Sequence, residues 1–291
     1  MDKFFWYTRG MKKESIMKQS QAKKRDNAMT NKILMGLIAL VLGLLFLEIL
    51  IVHSKNEQQK NASNQVQTAR IMANGDLLYH DGLYMSALQS DGSYDFTENF
   101  TYVKPWLQQA DLVLGDFEGT INPDYPLSGY PLFNAPQSVT AAIKDAGYDV
   151  MDLAHNHILD SGLEGAFTTA DAFKKVGIDP IGVYEKPVRD KAPLLIKNVN
   201  GIKVAILSYA YGYNGLESNL TDKEVADHLS NLDEKRMKAE IQRAEKEADI
   251  TVIMPQMGVE YRLEPTDEQV KLYHKMIDWG ADIIFGGHPH V

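Results

Sequence analysis

Cysteine is missing from this chain altogether. That excludes a disulfide framework and any thiolate metal site, so a bound metal would have to be held by Asp, Glu, His or Asn. Basic charge is scarce beyond the N-terminus: nine of the thirty Lys and Arg residues fall within residues 1–32, against three acids there. The acidic remainder disfavours nucleic acid, because phosphate attachment needs a basic face. Polar side chains are nearly absent from ILMGLIALVLGLLFLEILIV (33–52), where Glu48 is the one charge. Twenty such residues make a helix of about 30 Å, the thickness of a bilayer core. A cleaved signal peptide would carry a shorter apolar region and a small-x-small site, whereas HSKNEQQKN follows here.

These features predict four segments. Residues 1–32 form a basic cytoplasmic segment and 33–52 a single-pass transmembrane signal anchor. Residues 53–69, polar and poor in large apolar groups, form an extracellular tether, and 70–291 the main domain. The basic flank places the N-terminus in the cytoplasm and the main domain outside, at the cell membrane.

Within 70–291, short apolar runs recur and end in polar residues: RIMANGD (70–76), ADLVLGDFEG (110–119), YDVMDLAHNH (148–157), ADITVIMPQ (248–256) and ADIIFGGHPH (281–290). Continuous runs of this length predict strands buried on both faces. Helical patterns lie between them, at 137–146 and 161–176 and after Thr221 and Thr266. Ser161…Glu164, Thr221…Glu224 and Thr266…Gln269 are expected capping boxes, and Gly280 a helix stop. The Asn200-Gly201 pair predicts a hairpin joining 194–199 to 201–210. The alternation means a layered α/β domain.

Ligands of open α/β sheets collect beyond the carboxyl ends of the strands. Four of these runs end in O or N donors there: Asp76; Asp116 and Glu118; His155, Asn156 and His157; His288 and His290. Carboxylate, amide and imidazole together suit a divalent metal such as Mn, Fe or Zn, as one or two ions. Two ions bridged by a carboxylate can clamp both oxygens of a phosphoryl displacement. A nearby histidine can then serve the leaving group as an acid.

NGD (74–76), GDFEG (115–119), AHNH (154–157), GVEY (258–261) and GGHPHV (286–291) together resemble the bacterial capsule-synthesis family CapA/PgsA, the poly-γ-glutamate synthesis proteins. That family is similar to calcineurin-like metallophosphoesterases. The resemblance implies a two-sheet sandwich flanked by helices, with metal at the strand ends. It assigns Asp76, Asp116, Asn156, His288 and His290 as metal ligands, Asp116 as the bridging one. His157 matches the histidine beside the scissile phosphate, and His155 joins it as a catalytic candidate. Glu118, Gln256 and Glu260 receive supporting or substrate-binding roles. Two departures stand out: Asp76 lacks the usual companion histidine, and Gln256 occupies the place of a fourth-strand histidine ligand. Relatives continue past the closing histidine pair, so this chain is expected to end inside its domain.

The resemblance thus implies a membrane-anchored component of capsule-polymer synthesis or export, with synthase or export subunits and an anionic polymer as partners. The alternative is an active metal-dependent hydrolase or transferase on a cell-surface polymer or phosphoester.

Overall fold

The computed structural model describes residues 25, 29, 32, 34–37, 40–55 and 66–291, in two units, residues 1–66 and 67–291. Most of the basic segment and residues 56–65 of the tether lie outside the described residues. In the first unit a helix, α1 (Leu34–Lys55), is 22 residues long, with its described apolar side chains exposed. It is about 33 Å long at 1.5 Å per residue, enough to cross a bilayer. It runs three residues past the expected boundary at 52, so 53–55 are helical.

The second unit is a four-layer αββα sandwich. Its elements are β1 (Ile71–Leu78), α2 (Asp81–Ala87), α3 (Lys104–Leu107), β2 (Leu112–Glu118), α4 (Val139–Ala146), β3 (Val150–Asp152), α5 (Gly162–Lys175) and β4 (Asp179–Ile181). β5 (Leu195–Val199), β6 (Ile202–Ala210), α6 (Asp222–His228), α7 (Glu234–Glu247), β7 (Ile250–Gln256), α8 (Asp267–Trp279) and β8 (Ile283–Ile284) complete it. One sheet has the order β1-β2-β3-β4, all parallel. The other has β5-β6-β7-β8, parallel except for the β5–β6 hairpin that Asn200-Gly201 closes.

Period-two alternation builds the layers. Leu112, Leu114 and Val150 face Val204, Ile206, Val252 and Met254 between the sheets. Val113, Phe117, Met151 and Leu153 point the other way, onto Ala142, Ile143, Ala170 and Phe173 of α4 and α5. On the far side Leu207, Tyr209 and Ile253 meet Met237 and Ile241 of α7 and Leu272 and Met276 of α8. Each fully buried Leu, Ile or Phe contributes about 1.5–3 kcal/mol of apolar transfer energy. Gly115 lies where β2 crosses the Tyr148 ring: an added Cβ would sit 2.8 Å from Tyr148 Cε1.

The expected capping boxes form at Thr221 and Thr266, and Gly280, at φ +122°, ends α8. The one at Ser161 does not form. Its hydroxyl donates instead to Thr120 Oγ1 at 2.8 Å, because Ser161 is buried against the β2 loop and a side-chain partner is nearer than the helix amides. Two elements escape the periodicity. α7 shows three buried residues in a strongly charged segment, and β4 has three residues including Pro180.

Candidate metal centre

The parallel strands deliver their ends to one edge of the sandwich, and β1 does so with an irregularity. Ala73 pairs with Leu114, but Asp76 pairs with Asp116, so β1 holds one residue more than β2 between these points. A bulge shifts the side-chain alternation by one and re-aims the residues beyond it. Here it turns Asp76 onto the face that Ile71 and Ala73 share, between the sheets. Asp116 in turn pairs with Asp152 on β3. Three aspartates therefore stand side by side across three adjacent strands.

Above this row lie Glu118 and the closing segment after β8. One ligand atom each of Glu118, His288 and His290 lie within 4.8 Å of one another, the one such group of three among the described residues. His290 Nδ1 is 2.8 Å from Asp76 Oδ2, which ties the histidine pair to the aspartate row. His288 and His290 both adopt positive φ, +93° and +57°. Backbone of this kind is found where surrounding structure holds it, commonly at functional sites. Gly287, just before His288, lets the chain approach closely: an added Cβ would lie 3.2 Å from both Asp116 Oδ2 and Asp76 Oδ1. The ring of Tyr211 lies 4.7 Å from that of His288, and the exposed Tyr261 ring 6.0 Å from that of His290.

The loop after β3 forms the adjoining wall. Asn156 and Gln256 bond reciprocally, the Asn156 amide to Gln256 Oε1 and Gln256 Nε2 to Asn156 Oδ1, both at 2.9 Å. The Gln256 carboxamide thus fixes the Asn156 loop, and one lone pair of Asn156 Oδ1 is already used. His157 Nδ1 donates to Asp160 Oδ2 at 2.7 Å, and the same oxygen accepts the Phe133 amide at 2.6 Å. The Phe133 ring packs edge-on to the imidazole at 4.7 Å. This pairing makes His157 Nε2 the acceptor nitrogen of the ring, and Asn214 Nδ2 lies 3.4 Å from it. His155 is fully buried, and burial followed by the neighbouring His157 charge pushes its pKa well down, so it stays neutral. Its Nδ1 accepts the His157 amide at 3.2 Å. Glu260 is exposed on the loop after β7, where its charge acts on Glu118 and His288.

The electrostatics of the cluster are those of a cation trap. Burial, and then the charges of Asp152, Asp76 and Glu118, hold the Asp116 carboxyl well above the usual range. Glu118 is pushed up to about 9, by burial first and Asp76 next. Burial pushes Asp152 up to about 8, against the Ala154 amide that bonds it. Asp76 Oδ1, Asp116 Oδ1, Glu118 Oε2, His155 Nε2 and His288 Nδ1 are buried without a hydrogen-bond partner. Unpaired buried polar atoms are rare and costly. A divalent cation would meet the demands of Asp76, Asp116, Glu118 and His288, and the oxygen and imidazole donors fit Mn, Fe or Zn.

Asp152, Asp160 and Phe133 escape a reading of the sequence. Their signals are faint: an acid interrupting the VMDLA run, and an Asp three residues after His157.

Comparison with known proteins bears on this edge of the sandwich. A family model described as bacterial capsule synthesis protein PGA_cap matches residues 70–291. The chain is 33% identical over 201 residues to the capsule biosynthesis protein CapA of Bacillus anthracis, covering 66% of this chain and 48% of that protein. It is 29% identical over 286 residues to the PGA biosynthesis protein CapA of Bacillus subtilis strain 168, covering 97% and 73% respectively. The chain thus spans about half the length of the B. anthracis relative. A crystal structure from Staphylococcus aureus, provisionally named a 5'-nucleotidase and solved with alpha-ketoglutarate, superposes with a TM-score of 0.50 at 17% identity. It covers 76% of this chain and 46% of that one. At that identity the likeness concerns the fold, a phosphoesterase-like sandwich.

Proposed function

Because the chain belongs to the bacterial capsule synthesis protein family PGA_cap, we propose that it is a membrane-anchored component of capsule or poly-γ-glutamate synthesis or export, with a divalent-metal site in its outer domain. The observation that carries the metal site is the set of buried carboxylate and imidazole atoms left without partners where the strands end. Asp76, Asp116, Asn156, His288 and His290 would hold one or two ions, with Glu118 beside them. Bound Mn, Fe or Zn would supply Lewis-acid polarisation of a phosphoryl or carbonyl oxygen.

α1 is the anchor in this account, with the basic segment on the cytoplasmic side and residues 67–291 outside. The family role makes polymer synthase or export subunits the partners. An anionic polymer would meet a surrounding surface of its own sign, so its attachment would run through the metal and not through basic side chains.

The second role is hydrolysis or group transfer, and the His157–Asp160 pair favours it. Asp160 fixes the tautomer and aim of His157, as a carboxylate does behind a general acid. Gln256 would keep the loop that carries both in register with β7.

The test is elemental analysis of the full chain purified in detergent from cells grown with Mn, Fe and Zn. The account expects stoichiometric divalent metal. A properly folded chain with only background metal would contradict it.

A further inference from the structure

Asn214 belongs neither to the metal donors nor to the His157–Asp160 pair, yet it touches both. It lies in the loop after β6, on the second sheet, and is exposed. Its backbone adopts φ +53° and Gly215 follows at +80°. Asparagine is among the few side chains that tolerate this left-handed region, so the Asn214-Gly215 pair reads in the sequence as a turn and nothing more. The turn explains the backbone. It does not explain the partners of the side chain.

A row of carboxamides of fixed direction leads to them. The Asn156 backbone N–H can only donate, and it donates to Gln256 Oε1 at 2.9 Å. Gln256 Nε2 is therefore the donor to Asn156 Oδ1, also at 2.9 Å. Asn156 Nδ2 in turn donates to Asn214 Oδ1 at 3.2 Å. Asn214 must then point its own Nδ2 away from Asn156. That nitrogen lies 3.5 Å from His157 Nδ1 and 3.4 Å from His157 Nε2. A donor in the ring plane and equally far from both nitrogens would collide with the Cε1 between them. The amide therefore rests on the face of the imidazole, where an N–H meets the π cloud, and the in-plane lone pair of Nε2 stays free of it. Asp160 holds the ring at Nδ1 but leaves it free to tilt about that bond. Contact on the face, with the Phe133 ring edge-on at 4.7 Å, removes the tilt.

We propose that Asn214 is a positioning residue: its carboxamide sets the tilt of the His157 ring from which Nε2 meets a substrate, and ties that tilt to Asn156 and Gln256. The second sheet thereby aims a histidine carried by the first. The proposal rests on the hydrolytic or group-transfer reading of His157 and is tested so that the two can fail separately. A group that moves a proton depends on its aim, and a displacement of about 1 Å costs about 10²-fold in rate.

The experiment is steady-state hydrolysis of bis(para-nitrophenyl) phosphate by the Mn²⁺-loaded full chain in detergent. Asn214→Gly removes the carboxamide and suits the left-handed backbone, so melting temperature and metal content should hold. Its kcat should fall about 10- to 100-fold with KM little changed. In the His157→Ala background the same change should cost nothing further, because residues that act through one group are not additive. A folded Asn214→Gly with the wild-type kcat would overturn the positioning role and leave the hydrolytic reading intact. A full further loss in the His157→Ala background would also overturn it, since Asn214 would then act on something else. No turnover by the metal-loaded wild type would sink the hydrolytic reading and this proposal together. Should Asn214→Gly fail to fold, the isosteric Asn214→Asp decides by histidine nitrogen NMR. It keeps the acceptor for Asn156 and removes the N–H from the ring, so the His157 signals, assigned by their loss in His157→Ala, should shift while those of His274 on α8 hold. Unshifted His157 signals would refute the contact.

Discussion

Stripping the metal and raising the pH should destabilise this protein in a way that few acidic proteins share. In the metal-free folded chain Glu118 holds its proton up to about pH 9 and Asp152 up to about pH 8, chiefly because both are buried. Unfolded, each would lose it near the usual carboxylate value of about 4. Between these limits the folded state binds more protons than the unfolded one, so stability falls as pH rises. The slope is about 1.4 kcal/mol per pH unit for each group that stays protonated only when folded. His155 and His288, whose pKa values burial pushes down, act oppositely, but only up to the ordinary histidine range. The clean window is therefore pH 7 to 8. For a domain of this size one such group lowers the melting temperature by about 3–6 °C over that unit. Thermal unfolding followed by tryptophan fluorescence, with chelator and with Mn²⁺, measures both branches. The chelated chain should lose stability across the window, and the Mn²⁺-loaded chain should not, since the ion compensates the ionised carboxylates. A flat or rising profile in chelator would refute the assignment of raised carboxyl pKa values to this cluster.

Gly115→Ala would bring a methyl group against the Tyr148 ring and should cost about 1–3 kcal/mol by overpacking, read as a lower denaturation midpoint with metal content unchanged. If the site is catalytic, His157→Ala should lower turnover of a phosphoester or polymer substrate about 10²- to 10⁴-fold while metal stays bound. Unaltered capsule yield and stability in that variant would favour the binding role instead. Protease added to intact cells should digest residues 67–291 and spare the basic segment, and deleting α1 should release the chain from membranes. Protection of the outer domain would reverse the orientation.

The strand ends were legible because continuous apolar runs such as LVLGD and ADIIFGGH end abruptly in donors, so Asp116, His155–His157, His288 and His290 could be found as residues that stop a strand. The β5–β6 hairpin and two capping boxes were legible through their turn and cap chemistry. What stayed hidden depends on register and on long-range pairing. The one-residue irregularity at Asn74–Gly75, which turns Asp76 toward Asp116, exists only once β1 lies beside β2. Gln256 looked like an open amide near the strand ends, yet it bonds Asn156, one hundred residues away in the chain. Glu118 takes a supporting role from its motif, and only the folded chain shows that a carboxylate oxygen of it lies within 4.8 Å of ligand atoms of His288 and His290. Asp152 sits inside a strand and reads as an interruption until Asp116 is seen opposite it.

The central claim is that the buried strand-end donors hold a divalent metal, and Asp116 tests it most directly because its buried carboxylate stands between Asp76 and Asp152 in the aspartate row. Metal per chain should be measured after identical purification of Asp116→Asn and of Asp124→Asn, a surface change in the NPDYP loop. The account predicts that Asp116→Asn loses most of its metal while Asp124→Asn keeps the wild-type amount, both remaining folded. Equal occupancy in the two variants would contradict it.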